Sequence, residues 1–243
     1  MVAGFGAGFV NAIAGGGSLI SFPALLFSGL PAVTANATST VALWPGSLAS
    51  VWAYRSYILI QRRQAVSLAL PSLLGGLLGS ILLLHTPEKA FRVLVPYLIL
   101  LACALLILQG PIARWVARRS KVNPKRTSSA LWMVQFLISD YGGYFGAGIG
   151  ILMLAAIAIF LPEDLQSANA LKSFFAMLIN GIATIYFILV RAADLPTSGV
   201  MASASILGGY MGAHAAQHLS PGLLRALVVA FGLLVALHLL MTP

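Results

Sequence analysis

Charged residues are scarce in this chain: 8% of 243 residues, with only five aspartates and glutamates against 60% apolar residues. A soluble domain carries roughly 25% charged residues. So few charges cannot coat a water-exposed surface, so most of the surface must face lipid. Acids are too few to build metal or acid–base clusters. The single cysteine, Cys103, excludes an intrachain disulfide and any CxxC pair. No Walker loop, HExxH motif or nucleophile elbow occurs, and the glycine runs follow no strand, so they are not nucleotide loops. These absences argue against an enzyme, and no cofactor or metal is expected. His214 and His218 have i, i+4 spacing but no neighbouring carboxylate or cysteine, and read as interface histidines. The opening Met1-Val2-Ala3-Gly4 has no basic region, so a cleavable signal peptide is not expected.

The net charge of +9 is concentrated in loops. Arg55, Arg62 and Arg63 form one cluster; Arg114, Arg118, Arg119, Lys121, Lys125 and Arg126 form the other. Beside apolar spans, such clusters mark the cytoplasmic side of a membrane and not a nucleic-acid site. Loops 55–63 and 111–128 are therefore expected in the cytoplasm.

Eight hydrophobic segments are predicted, at about 2–29, 32–54, 65–84, 88–109, 129–161, 165–190, 197–216 and 221–241. Most are near the roughly 20 residues a span needs. The second group of four echoes the first. Leu74-Gly75-Gly76-Leu77-Leu78-Gly79 returns as Leu207-Gly208-Gly209-Tyr210-Met211-Gly212. At the same offset Ala35-Asn36-Ala37 returns as Ala168-Asn169-Ala170, His85 as His218 and Arg92 as Arg225. The expected fold class is an all-α polytopic membrane protein of two homologous repeats, 1–110 and 129–243, joined by a basic linker, 111–128. A duplicated bundle of this kind is the usual build of a secondary transporter, with its site between the repeats.

The first segment of each repeat is broken by glycine: Gly15-Gly16-Gly17 in one, Gly146-Ala147-Gly148 in the other. Each is either one crossing made of two half-helices or a re-entrant hairpin. The first option gives parallel repeats; the second gives inverted ones. Weaker basic charge in the loop that carries Arg191 and Asp194 favours inversion, whereas hydropathy favours four crossings per repeat. Broken backbone in lipid is tolerated only where it is buried or lines a cavity. Amides that open the following half-helix would turn a positive dipole end toward an anion. Isolated pairs such as Gly75/Gly79 read as close helix packing.

Several polar groups surround these breaks in sequence. Asn36 and Thr38 follow Leu30-Pro31, and Asn169 follows Leu161-Pro162; each asparagine could cap a helix or donate to a ligand. Lys172 is the lysine within the apolar body of the second half, where a cation is costly unless paired, facing a polar cavity or snorkelling to the interface. Asn11 and Asp140 precede the breaks, and Asp140 is a candidate proton carrier or partner of Lys172, or a structural cap. Asn180 and Ser47 read as interhelical hydrogen-bond groups.

The run from Ala7 through Asn11, Gly15-Gly16-Gly17-Ser18 and Phe22-Pro23-Ala24-Leu25, then Ala35-Asn36-Ala37-Thr38 and Pro45-Gly46-Ser47-Leu48, resembles the sulfite exporter TauE/SafE family. Tyr141-Gly142-Gly143-Tyr144-Phe145-Gly146-Ala147-Gly148 with Asn169-Ala170-Leu171-Lys172 resembles that family's second repeat. The resemblance implies an inner-membrane permease of bacterial type, moving a small sulfur-containing anion such as sulfite or a sulfonate, often as export. The expected substrate site comprises Asn11, Gly15, Gly16, Gly17, Asn36, Thr38, Gly146, Gly148, Asn169 and Lys172. The partners expected are that anion and the bilayer, and the alternative function is a passive anion channel on the same scaffold.

Overall fold

A computed structural model of the chain describes residues 1–13, 16–119, 129–161, 164–215 and 221–241. Among the described residues all regular structure is helical. The helices are α1 (Val2–Ile13), α2 (Ser18–Phe27), α3 (Ala32–Ala53), α4 (Arg55–Ile60), α5 (Arg62–His85) and α6 (Glu88–Arg119), then α7 (Ser129–Tyr144), α8 (Ile149–Phe160), α9 (Leu165–Leu189), α10 (Leu195–Ala215) and α11 (Pro221–Met241). The expected segments are thus present, the first and fifth each split into two helices. Among the described residues, four stretches are long and apolar enough to cross a membrane: Arg62–His85, Glu88–Trp115, Gln166–Leu189 and Gly222–Met241. The helices α3 and α10, of 22 and 21 residues, have the length but carry more serine, threonine and glycine. They pack against α9 and α1 respectively and against each other. Polar side chains are tolerated in such a position because they face other helices.

Two differences from the sequence expectation concern the basic loops. Arg55–Ile60 folds as a short helix. The linker expected from 111 is helical as far as Arg119, because α6 runs on through Pro111. A proline there removes one backbone bond but does not stop a helix that leaves the bilayer. Residues 120–128 lie outside the described residues.

Helix directions follow from paired contacts. Trp132 donates to Ser67 O at 2.9 Å and Gln135 Nε2 to Ser72 Oγ at 2.9 Å. Further along, a β-carbon at Gly79 would lie 1.9 Å from Asp140 O. Both sequence numbers rise together, so α5 and α7 are parallel. In the same way Gly4 meets Met201 and Gly8 meets Ser205, so α1 and α10 are parallel. Thr38 bonds Asp194 and Ser205 bonds Ala42 O, so α3 and α10 are parallel too. Between α6 and α11 the order reverses: Gly110 meets Arg225, and Cys103 meets Gly232.

These directions resolve the broken segments. Since α1 and α3 run the same way, α2 between them must run back. Its return is visible at Gly17, where a β-carbon would lie 2.5 Å from Ala7 O, and at Gly6, which approaches Ile20. With 12 and 10 residues, α1 and α2 are about 18 and 15 Å long, too short to cross a hydrocarbon core of roughly 30 Å. The pair is a re-entrant hairpin. Short connections reverse the chain between α3 and α5 and between α9 and α10, so α5, α7 and α9 all oppose α1, α3 and α10. A second hairpin, α7–α8, therefore enters from the opposite face. The two halves are inverted, and the exchange of halves carries α1·α10 into α7·α5 and α3·α10 into α9·α5. One consequence differs from a fully crossing fifth segment: the turn before α9 lies on the same face as the basic loops. Asp164 caps α9 there, accepting from Gln166 N at 2.8 Å, Ser167 N at 3.1 Å and Ser167 Oγ at 2.7 Å. The bonds from Ser167, side chain first, hold its carboxyl below the usual carboxylate range.

Each hairpin is clamped to its neighbour where backbone touches backbone. A β-carbon would lie 2.0 Å from Gly76 O at Gly143, 2.0 Å from Ser205 O at Gly8 and 2.0 Å from Phe5 O at Gly208. The pair read from the sequence as packing residues is as tight: a β-carbon would lie 2.4 Å from Phe136 O at Gly75 and 1.9 Å from Asp140 O at Gly79. Gly79→Ala is expected to destabilise the protein by about 1–3 kcal/mol through overpacking, whereas Gly199→Ala, with nothing within 4 Å, leaves the melting temperature of detergent-purified protein unchanged or slightly raised.

Candidate functional site

The two hairpins reach the interior from opposite faces and end on the same stretch of α6. At the first tip Gly16 (φ 88°) packs on Leu106, where a β-carbon would lie 3.1 Å from Cδ1. At the second, Gly148 (φ 81°) packs on Leu105, at 3.0 Å. Both glycines occupy the left-handed region, which side chains with a β-carbon rarely adopt. Phe22 of α2 meets Phe145 at the second tip edge-on, with centroids 5.5 Å apart. Side chains from both halves thus converge where α2 and α8 begin, and each of these helices turns its positive end toward that point.

Lys172 stands at the start of α8. Its stem lies across Gly150, where a β-carbon would be 3.1 Å from Lys172 Cδ. Its Nζ donates to Asn169 Oδ1 at 3.1 Å, and among the described residues it makes no ion pair. A cation beside a helix N-terminus is unfavourable by roughly 0.3–1 kcal/mol, added to about 2.5–3.5 kcal/mol for an ammonium within the bilayer. Both penalties fall when an anion shares the place. In the first half the matching position is Ser39, and its hydroxyl lies 2.6 Å from that of Ser21, which donates to Gly17 O at 3.2 Å. One half therefore closes its tip with neutral hydroxyls and the other with a charge.

Other expected residues take different places. Asn36 is buried and donates from Nδ2 to Tyr144 O at 2.9 Å, so it ties α3 to the end of α7 across the two halves. Thr38 is fully buried, accepting from Asp194 N at 2.9 Å and, through its carbonyl, from Ser198 Oγ at 3.4 Å. It anchors the start of α10. Asn11 is exposed in the last turn of α1, its Cβ close to Gly17. Gly146 (φ 79°) opens the second break beside Asn180, whose Oδ1 lies 3.9 Å from a β-carbon position. Gly17 is buried against α1. Gly15 lies outside the described residues, as does His218. First-turn amides are partly used up locally: Leu19 N bonds Gly16 O at 2.9 Å, Ile20 N bonds Gly17 O at 3.0 Å and Ile151 N bonds Gly148 O at 3.0 Å. Asp140 has its backbone wedged against Gly75 and Gly79, and its Oδ1 is buried without a hydrogen-bond partner.

Several contributors were not legible in the sequence. Trp44 of α3 donates to Met177 O at 3.2 Å and lies over Gly181, bridging the halves. Ser21, Leu105, Leu106 and Phe145 sit in apolar runs that give no local signal. Glu88 was unremarkable in sequence, yet it receives the N–H groups of Ala32, and of Val33 at 3.2 Å, and so caps α3 from α6. An apolar cleft between α1, α2 and α10, bordered by Ala24, Leu25, Ser28 and Met201, includes none of the residues around Lys172.

A family model described as sulfite exporter TauE/SafE matches residues 1–239. The chain belongs to the TauE/SafE family. It is similar to a probable membrane transporter protein, ORF9, of Sinorhizobium sp., with 28% identity over all of this chain and 91% of the relative. A probable membrane transporter protein of Haemophilus influenzae is 30% identical over 93% of this chain and 87% of its own length. YfcA of Escherichia coli K12, also a probable membrane transporter protein, is 26% identical over 96% and 86%. No solved structure matches the chain. This TauE/SafE protein is a multi-pass membrane transporter.

Proposed function

We propose that the protein is a secondary transporter that exports a small sulfur-containing anion, sulfite or an organosulfonate, across the bacterial inner membrane. Loops 55–63 and 111–128 face the cytoplasm in this reading, as their basic charge requires. The observation that carries it is the placing of Lys172 against the first turn of α8, a cation at a positive helix end, with an amide oxygen as its partner. An anion held by Lys172 Nζ, the Nδ2 of Asn169 and the α8 amides would remove both penalties at once. Gly16, Gly17, Gly146 and Gly148 shape the tips, while Asn36, Thr38 and Asn11 hold or flank them. The inverted halves support alternating access by rocking one half against the other.

The test is sulfite or sulfonate flux in proteoliposomes. Lys172→Gln is expected to lower flux at least about tenfold, the effect of losing roughly 1.4 kcal/mol of charge-assisted binding, and Lys172→Arg to retain part of it. Wild-type flux in Lys172→Gln would remove the lysine from the site. Saturable, gradient-driven flux is expected; ohmic conductance in a planar bilayer would favour the passive channel.

Asp140 is the proton-coupling group in this reading, because it is a carboxylate inside the bundle with an unpartnered buried oxygen. Asp140→Asn is expected to leave anion binding within about twofold while abolishing accumulation driven by a pH gradient. Unchanged pH-driven accumulation would assign coupling elsewhere.

A further inference from the structure

On the outer surface of the bundle, α6 and α11 cross antiparallel and leave a groove lined by Ile107, Gly222, Arg225, Ala226, Ala230 and Leu233. Its floor is apolar and faces the hydrocarbon; Ile107 is 58% exposed and Leu233 44%. Its floor is held in place by the close approach of Cys103 to Gly232 and by the contact of Cys103 Sγ with Val229 O at 3.8 Å. The head of the groove is different. Arg225 lies half-buried there, its Nη1 3.3 Å from a β-carbon position on Gly110, and its Nε is buried with no hydrogen-bond partner. The residue before Gly110 is Gln109, whose buried Oε1 likewise has no partner. This end of the groove lies on the face where α6 leaves the bundle and α11 enters it, beside the basic stretch that includes Arg114.

An arginine at the edge of the hydrocarbon needs an anion, and the groove below it needs a chain. A soluble ion would meet the first requirement but not the second. We propose that this groove binds an anionic phospholipid, with the phosphodiester on Arg225 and one acyl chain along Ala226, Ala230 and Leu233. Basic sites between helices at a membrane face recognise acidic headgroups in this way. Phosphatidylglycerol leaves the phosphodiester's charge to the arginine, whereas choline carries its own cation, so phosphatidylglycerol fits better than phosphatidylcholine. The site is separate from the hairpin tips, and it depends only on the chain lying in a bilayer.

The experiment uses full-length protein in a neutral detergent, followed by thermal melting and by native mass spectrometry. Phosphatidylglycerol is expected to raise the melting temperature by several degrees and to remain bound, and phosphatidylcholine to do neither. In Arg225→Gln retention is expected to fall about fivefold, the loss of one cation's contribution at the membrane surface, while Arg92→Gln, at the exposed equivalent position in the first half, keeps it. Ala230→Trp fills the floor without touching the arginine and is expected to weaken lipid retention too, which covers the case of an Arg225 variant that does not fold. Equal stabilisation by phosphatidylcholine, full retention in both Arg225→Gln and Ala230→Trp, or the same shift from inorganic phosphate alone would overturn the lipid site.

Discussion

The structure depends on bringing backbone against backbone inside the membrane. A chain that breaks its helix in hydrocarbon exposes polar groups, and it can do so only where protein encloses them. The enclosure here comes from glycines that let α7 lie on α5 and α1 lie on α10, with no room for a β-carbon at Gly8, Gly79, Gly143 or Gly208. Van der Waals contact of this kind is the main attraction available between helices in lipid, where no hydrophobic force draws them together. Once the outer limb of each hairpin is fixed, the inner limb is carried to the centre. The starts of α2 and α8 then meet adjacent leucines of α6, Leu106 and Leu105.

In the proposed transporter, function follows from the asymmetry of those two tips. Their scaffolds correspond, but their chemistry does not. The first tip is satisfied internally, through Ser39, Ser21 and the carbonyl of Gly17. The second places an ammonium on the positive end of a helix, an arrangement that an anion would stabilise. Asn36 links them, because its amide reaches from the first half to the last turn of α7 in the second. A movement of one half relative to the other would therefore be felt at the end of α7, next to the second tip.

Much of the fold was legible because hydropathy and glycine are strong local signals. The eight segments, their breaks and the packing role of Gly75, Gly79 and Gly208 follow from them. Direction was not legible. A hairpin and a broken crossing have the same composition, and only contacts distant in sequence, such as Trp132 with Ser67 or Gly4 with Met201, separate the two. The site was half legible. Lys172 declared itself by the cost of charge in lipid, and Asn169 by its proximity. Asn36 and Thr38 were expected at the substrate site, and what they bond could not be known from sequence, since Tyr144 and Asp194 are more than 100 residues away. Leu105 and Leu106 carry no signal at all: an apolar residue that meets a hairpin tip looks like one that meets lipid.

The central claim is that an anion lies between Lys172 and the first turn of α8. An experimental structure with selenite, an electron-dense analogue of sulfite, tests it most directly. The account predicts density within hydrogen-bond distance of Lys172 Nζ and beside Gly150, with the lysine turned from Asn169 toward the ion. Density elsewhere in the bundle, with Lys172 still bonded to Asn169, would contradict it.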